Sequence, residues 1–139
     1  PPRIRMATLF AVAQTCNGRV ANTCNFSEDF LGWNTLFGDS AGQFAPLAKL
    51  TATEVIKIAE VLNLPENLVH KAPADGLTDK SDEDNFGFTY DFLDIYIRTG
   101  YYGIDPATAA KIDSMHDRNK FKLAPMPHFD YYPEDPYRF

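Results

Sequence analysis

Six consecutive residues, Thr23-Cys24-Asn25-Phe26-Ser27-Glu28, place a hydroxyl beside a carboxylate at a predicted strand-to-helix junction. Ligands in open α/β sheets bind at the carboxyl ends of strands. A threonine hydroxyl there can bond a base or ribose edge. Glu28, one residue into the next helix, can hold a hard cation such as Mg²⁺ through its carboxylate. Ser27 and Glu28 also suit a plain helix cap, so both uses stay open.

A second candidate is Phe37-Gly38-Asp39-Ser40-Ala41-Gly42. Two glycines around Asp39 make a backbone tight enough to approach a phosphate or an adenylate. An Asx-type turn uses the same residues. Arg3 and Arg5 stand two apart at a helix start and point to different faces. They can grip anions or simply face solvent, and Lys120 and Lys122 share that ambiguity. Lys71 to Leu77 and the acidic run Ser81-Asp82-Glu83-Asp84 read as a lid or as a solvated loop. His70, His116 and His128 have no partner at metal spacing. No nucleophile stands with a base. Such a site would work by positioning anions and metal.

These residues need elements to place them. Residues 2–16 read as a helix, with proline at its start and Met6, Leu9, Phe10 and Ala13 on one apolar face. Residues 19–23 suit a buried parallel strand. Ser27 is the expected N-cap of a short helix to Trp33. Residues 34–50 read as a loop. Thr51 to Glu54 form a capping box before a helix through Asn63. Pro65-Glu66 begins a short turn, and residues 71–88 read as a mobile polar loop. Thr89 caps a helix ending at Gly100, and Asp105-Pro106 starts the last helix, to about Phe121. The tail from Leu123, with four prolines, is expected to be extended. One strand and about five helices result. A parallel strand needs neighbours, so the other strands are expected upstream or on another chain.

Composition narrows the function. The 139 residues are 45% hydrophobic, with 19 acidic against 13 basic residues and a net charge of −6. That balance argues against general nucleic-acid binding. No run reaches the roughly 18 apolar residues of a membrane span. The first residues have no signal-peptide layout, although the chain lacks an initiator Met. Cys16 and Cys24 read as reduced, buried thiols of a cytoplasmic protein.

Several segments in order resemble ammonia-dependent NAD⁺ synthetases: RIRMATLFAVAQ (3–14), VANTCNFSED (20–29), GWNTLFGDSAGQFAPLAKLTATEV (32–55), KAPADGL (71–77), SDEDNFGFTYDFLD (81–94) and NKFKLAPMP (119–127). The resemblance implies an α/β, Rossmann-like fold of the pyrophosphatase-loop ATP group. Here only its mostly helical C-terminal portion, with about one parallel strand, would be present. It implies that ATP adenylates the nicotinate carboxylate of deamido-NAD⁺ with Mg²⁺, and that ammonia displaces AMP. It also implies a homodimer with deamido-NAD⁺ at the interface. By position, Arg3, Trp33 and Lys122 match deamido-NAD⁺ contacts. Thr23 matches an ATP contact, Glu28 a Mg²⁺ ligand, and Asp39 an aspartate near the reacting groups.

The chain also departs from the family. Leu36, Gln43, Ala52 and Ala74 stand where many members carry a basic residue, Asp, Lys and Thr. The S-G-G-x-D-S loop that holds the ATP pyrophosphate does not occur, and it is expected upstream of Pro1. The expectation is therefore residues 1–139 as the C-terminal part of one domain, inactive without an N-terminal half. Within it, 1–70 would be sheet-proximal, 71–88 mobile, and 89–139 helices and tail. Two alternatives are a catalytically silent dimerisation or dinucleotide-binding module, and another pyrophosphatase-loop amidating enzyme such as a GMP synthetase.

Overall fold

The computed structural model describes residues 1–74, 79–100, 103 and 105–130. Seven α-helices and a terminal 3-10 turn carry these residues: α1 (Pro2–Thr15), α2 (Phe26–Leu31), α3 (Ala52–Val61), α4 (Glu66–Val69), α5 (Asp82–Phe86), α6 (Tyr90–Thr99), α7 (Pro106–Asn119) and the turn Lys120–Lys122.

The core is small and aromatic. Leu31, Phe86, Leu93 and Ile112 are fully buried, with Phe88 and Tyr90 around them. Each such side chain contributes about 1.5–3 kcal/mol through burial. The Phe86 ring meets Trp33 edge-on at 4.7 Å and Tyr90 edge-on at 5.6 Å. These contacts draw α2, α5, α6 and α7 together.

A polar knot fastens the other side of α2. Asp94 on α6 is buried, and its carboxylate accepts from the Ser27 hydroxyl, the Thr53 amide at 2.8 Å and the Thr53 hydroxyl at 2.7 Å. The Ser27 Oγ in turn accepts from the Ala52 amide at 3.0 Å. One buried carboxylate thus serves the free amides at the start of α3 and locks α2 to α6. Arg98 adds an outer clamp, with Nε 3.0 Å from Glu54 Oε1 and one Nη donating to the Lys49 carbonyl at 2.9 Å.

Several sequence readings need correction. The cap of α2 is Asn25, whose side chain accepts from the Glu28 amide at 3.0 Å while its own amide donates to Glu28 Oε2 at 2.9 Å. Ser27 lies inside the helix because Asp94 gives its hydroxyl a buried partner. Among the described residues the expected strand is a single parallel bridge, Ala21 with Phe44, and no sheet forms. The Asn22 amide donates to the Phe44 carbonyl and the Gln43 amide to the Val20 carbonyl, both at 2.8 Å. Gln43 Oε1 extends this short ladder by accepting from the Val20 amide at 2.9 Å.

The segment 71–88 is not wholly a loop. Ser81 and Asp84 form a capping box that starts α5, and Phe86 and Phe88 enter the core. The part of that segment at 75–78 lies outside the described residues, as does the tail at 131–139. Cys16 is exposed, against expectation, while Cys24 is buried. On α1 no residue is buried, and Leu9 is 56% exposed. The apolar face read from Met6, Leu9, Phe10 and Ala13 is therefore only partly covered within this chain.

Candidate functional site

A cleft of about 500 Å³ opens where the start of α1, the end of the bridge segment, α2 and the end of α7 converge. Thr23, Glu28, Trp33, Asp39 and Lys122 all line it. These five were singled out from four separate stretches of sequence. Arg3 is not among the lining residues: its Nε donates to the Leu36 carbonyl at 3.1 Å, and Arg5 lines the cleft instead. The two-residue spacing on a helix separates their faces.

Local structure explains each position. The Asn25–Glu28 box holds the Glu28 carboxylate against its own helix start, which is the plain capping role. Glu28 nevertheless keeps a place in the cleft wall. Gly32 ends α2 at φ 65°, and the chain turns so that Trp33 and Asn34 enter the wall. Lys122 fixes that turn, with Nζ donating to the Gly32 carbonyl at 2.7 Å and the Asn34 carbonyl at 2.8 Å. An ammonium has three N–H groups, so one remains for a ligand.

Asp39 sits in a turn of its own making. Its Oδ1 and Oδ2 accept from the Thr35 amide at 3.0 and 3.2 Å. The Asn22 side chain ties this turn to the bridge segment through the Ser40 carbonyl at 2.7 Å. Gly42 permits the approach, because a Cβ there would lie 2.5 Å from the Asn22 amide nitrogen.

Both charge signs line the cleft. Burial pushes the Glu28 carboxyl up to about 7, and the charges of Asp82, Asp29 and Asp39 push in the same direction. Burial likewise raises the Cys24 thiol to about 12, with help from Glu28, Asp29 and Asp39. Cys24 is therefore a neutral thiol at pH 7 and no nucleophile. Arg5, Arg118 and Lys122 also line the cleft and supply the opposite sign. Burial lowers the Lys122 ammonium from its ordinary value.

Three lining residues carry a buried polar atom with no hydrogen-bond partner among the described residues: Trp33 Nε1, Asn34 Oδ1 and Asp82 Oδ1. Buried polar atoms are normally paired, so each of the three has capacity left for a partner. In sequence Asp82 stands out only as part of an acidic run. The signal that could have found it was the S-D-E-D capping box ahead of two core phenylalanines.

The donor set suits a hard cation. Glu28 and Asp82 offer carboxylate oxygens, and Asp82 Oδ1 is an orphaned acceptor. No group of three His, Cys, Asp or Glu side chains able to hold a metal occurs among the described residues. Mg²⁺ commonly needs only one or two protein carboxylates, with phosphate oxygens and water completing its shell.

Known proteins resemble the chain along most of its length. The NAD synthase family model matches residues 1–126. The NH₃-dependent NAD⁺ synthetase of Mycoplasmopsis pulmonis is 34% identical over 122 residues, 87% of this chain and 47% of that protein. Its counterpart in Carboxydothermus hydrogenoformans is 43% identical over 100 residues, 71% of this chain and 41% of that protein. The chain thus spans about half the length of the curated relatives it matches.

Among solved structures, an NMN synthetase from Francisella tularensis superposes with a TM-score of 0.83 at 34% identity, covering 92% of this chain and 54% of that one. An NH₃-dependent NAD synthetase from Campylobacter jejuni gives a TM-score of 0.71 at 29% identity, covering 94% and 52%. These neighbours are consistent with an adenine-nucleotide-binding α/β fold, of which the described residues form a mostly helical part. With a family model matched over 126 of its 139 residues, the chain belongs to the NAD synthase family.

Proposed function

We propose that this chain supplies one part of the active site of an enzyme that amidates deamido-NAD⁺ with ammonia at the expense of ATP. The observation that carries the reading is the convergence of Thr23, Glu28, Trp33, Asp39 and Lys122 on one cleft, in a member of the NAD synthase family. ATP would adenylate the nicotinate carboxylate with release of pyrophosphate. Ammonia would then displace AMP to give NAD⁺.

Each residue has a task that its surroundings permit. Thr23, exposed at the end of the bridge segment, offers its hydroxyl to the nucleotide. The remaining Lys122 N–H and the Arg5 and Arg118 guanidiniums face a ligand bearing phosphate or carboxylate oxygens. Trp33 presents an indole N–H and a ring packed edge-on against Phe86. Asp39, held by the Thr35 amide, stands near the reacting groups. Arg3, bonded to the Leu36 carbonyl, would contact deamido-NAD⁺ from outside this cleft. Glu28 would hold Mg²⁺, which when bound shields phosphate charge during adenylation.

The remainder of the enzyme supplies the pyrophosphate loop. The 139 residues contain no S-G-G-x-D-S sequence. On α1, Ile4 is 73% exposed and Val12 54% exposed. Those apolar side chains suit burial against the rest of the protein or against a second copy in a homodimer. The location would be the cytoplasm, where ATP and dinucleotide are at hand.

The likeness to the Francisella NMN synthetase favours a second acceptor, the nicotinate mononucleotide. The intact protein, given Mg-ATP and ammonia with each acceptor separately, decides between them. Faster amidation of deamido-NAD⁺ supports the first reading. Faster amidation of the mononucleotide replaces it with the second.

A further inference from the structure

Asp82 is 4% exposed, yet only one of its carboxylate oxygens has a partner. The Tyr90 hydroxyl donates to Oδ2 at 3.2 Å. Oδ1 has no partner among the described residues, and the side chain lines the cleft. A buried carboxylate oxygen left without a partner is costly. Nearby core packing does not require an acid at this position, since Phe86 and Phe88 anchor α5. Glu28 and Asp82 line the same cleft.

We propose that Asp82 is a further protein ligand for the divalent cation at Glu28, presenting Oδ1 to it while Tyr90 fixes Oδ2. This inference rests on the reading of the cleft as an ATP- and Mg²⁺-dependent site. A cation held there satisfies the orphaned oxygen. The cation's remaining positions are left to water and phosphate oxygens. The Asp82 amide donates to the Pro73 carbonyl at 3.0 Å, so the same residue also anchors the segment that brings Ala74 to the cleft.

The test uses the intact protein and Mn²⁺ alone as the probe for Mg²⁺. Free Mn²⁺ is followed by electron paramagnetic resonance during a titration. Asp82→Asn, which keeps the shape, is expected to weaken Mn²⁺ binding about tenfold or more. Tyr90→Phe, which keeps the carboxylate and frees Oδ2, is expected to weaken it less. Mn²⁺ affinity unchanged in Asp82→Asn overturns the proposal. Should that variant fail to fold, crystals of the native protein soaked in MnCl₂ decide by anomalous scattering. A peak bonded to both Asp82 and Glu28 supports the proposal; a peak on Glu28 alone, or none, overturns it. Amidation by the native protein is measured in parallel. Activity with unaltered Mn²⁺ binding in Asp82→Asn ends this inference only, whereas no amidation of either acceptor ends the functional reading beneath it.

Discussion

Ser27 on α2 donates its hydroxyl to Asp94 on α6, and this buried contact orients the helix that carries Glu28. Sixty-seven residues separate the pair along the chain. The contact explains why Ser27 is wholly buried and why α2 holds its place with only six residues. An isolated helix of that length would not persist in water.

Removing Asp94 should therefore loosen α2 and α3 together. Asp94→Ala leaves the Ser27 hydroxyl, the Thr53 hydroxyl and the Thr53 amide without their acceptor. The expected loss is about 3–5 kcal/mol, read from urea unfolding. A loss under about 1 kcal/mol would show that the network is replaceable by water.

Glu28 should make stability depend on pH. Its folded value of about 7 lies above the ordinary 4.5, so folding favours the protonated carboxyl. Its contribution is fully present below about pH 4.5 and is lost as pH rises through about 7. Glu28→Gln cannot ionise and escapes this loss. Without divalent cation, the variant should gain on the native protein between pH 4 and pH 8, by up to about 3 kcal/mol. Thermal melts at both pH values check this. A stability difference that does not change with pH would contradict the origin assigned here.

Gly32 should tolerate no side chain. It adopts φ 65°, and a Cβ would lie 2.2 Å from Asn119 Cβ. Gly32→Ala combines left-handed strain with overpacking, at about 3 kcal/mol in all. It would also disturb the carbonyl that Lys122 holds. Calorimetry of the variant should show a lowered melting temperature, and an unchanged one would rule out the described turn.

Trp33 should act through its N–H as well as its ring. Trp33→Phe keeps an aromatic ring against Phe86 and removes the buried, unpartnered Nε1 donor. Stability should hold within about 1 kcal/mol, while KM for the dinucleotide rises about three- to tenfold. A normal KM would mean that the indole N–H meets no ligand.

Much of this was legible in the sequence, for physical reasons. Local signals placed α1, α3, α6 and α7, because proline at N1, capping boxes and helix-ending glycines act over a few residues. Ser27 looks like a cap in sequence because its partner, Asp94, lies far along the chain. Likewise Asp82 was hidden in a polar run whose burial depends on Phe86 and Phe88 reaching a core built by other helices. For the cleft, residue types at Thr23, Glu28 and Asp39 suggested nucleotide and cation chemistry, but only the fold shows that Arg5 lines it and Arg3 does not. A helix turns by about 100° per residue, so the choice between the two arginines depended on what packs beside α1.

We propose that this cleft serves ATP-dependent amidation of a nicotinate nucleotide. Incubating the intact protein with Mg-ATP, deamido-NAD⁺ and ¹⁵N-ammonium, with mass spectrometry of the products, tests it most directly. The expected products are ¹⁵N-labelled NAD⁺ and AMP in equal amounts, with both lost in Glu28→Ala. AMP without labelled NAD⁺, or no turnover of either nucleotide, would contradict it.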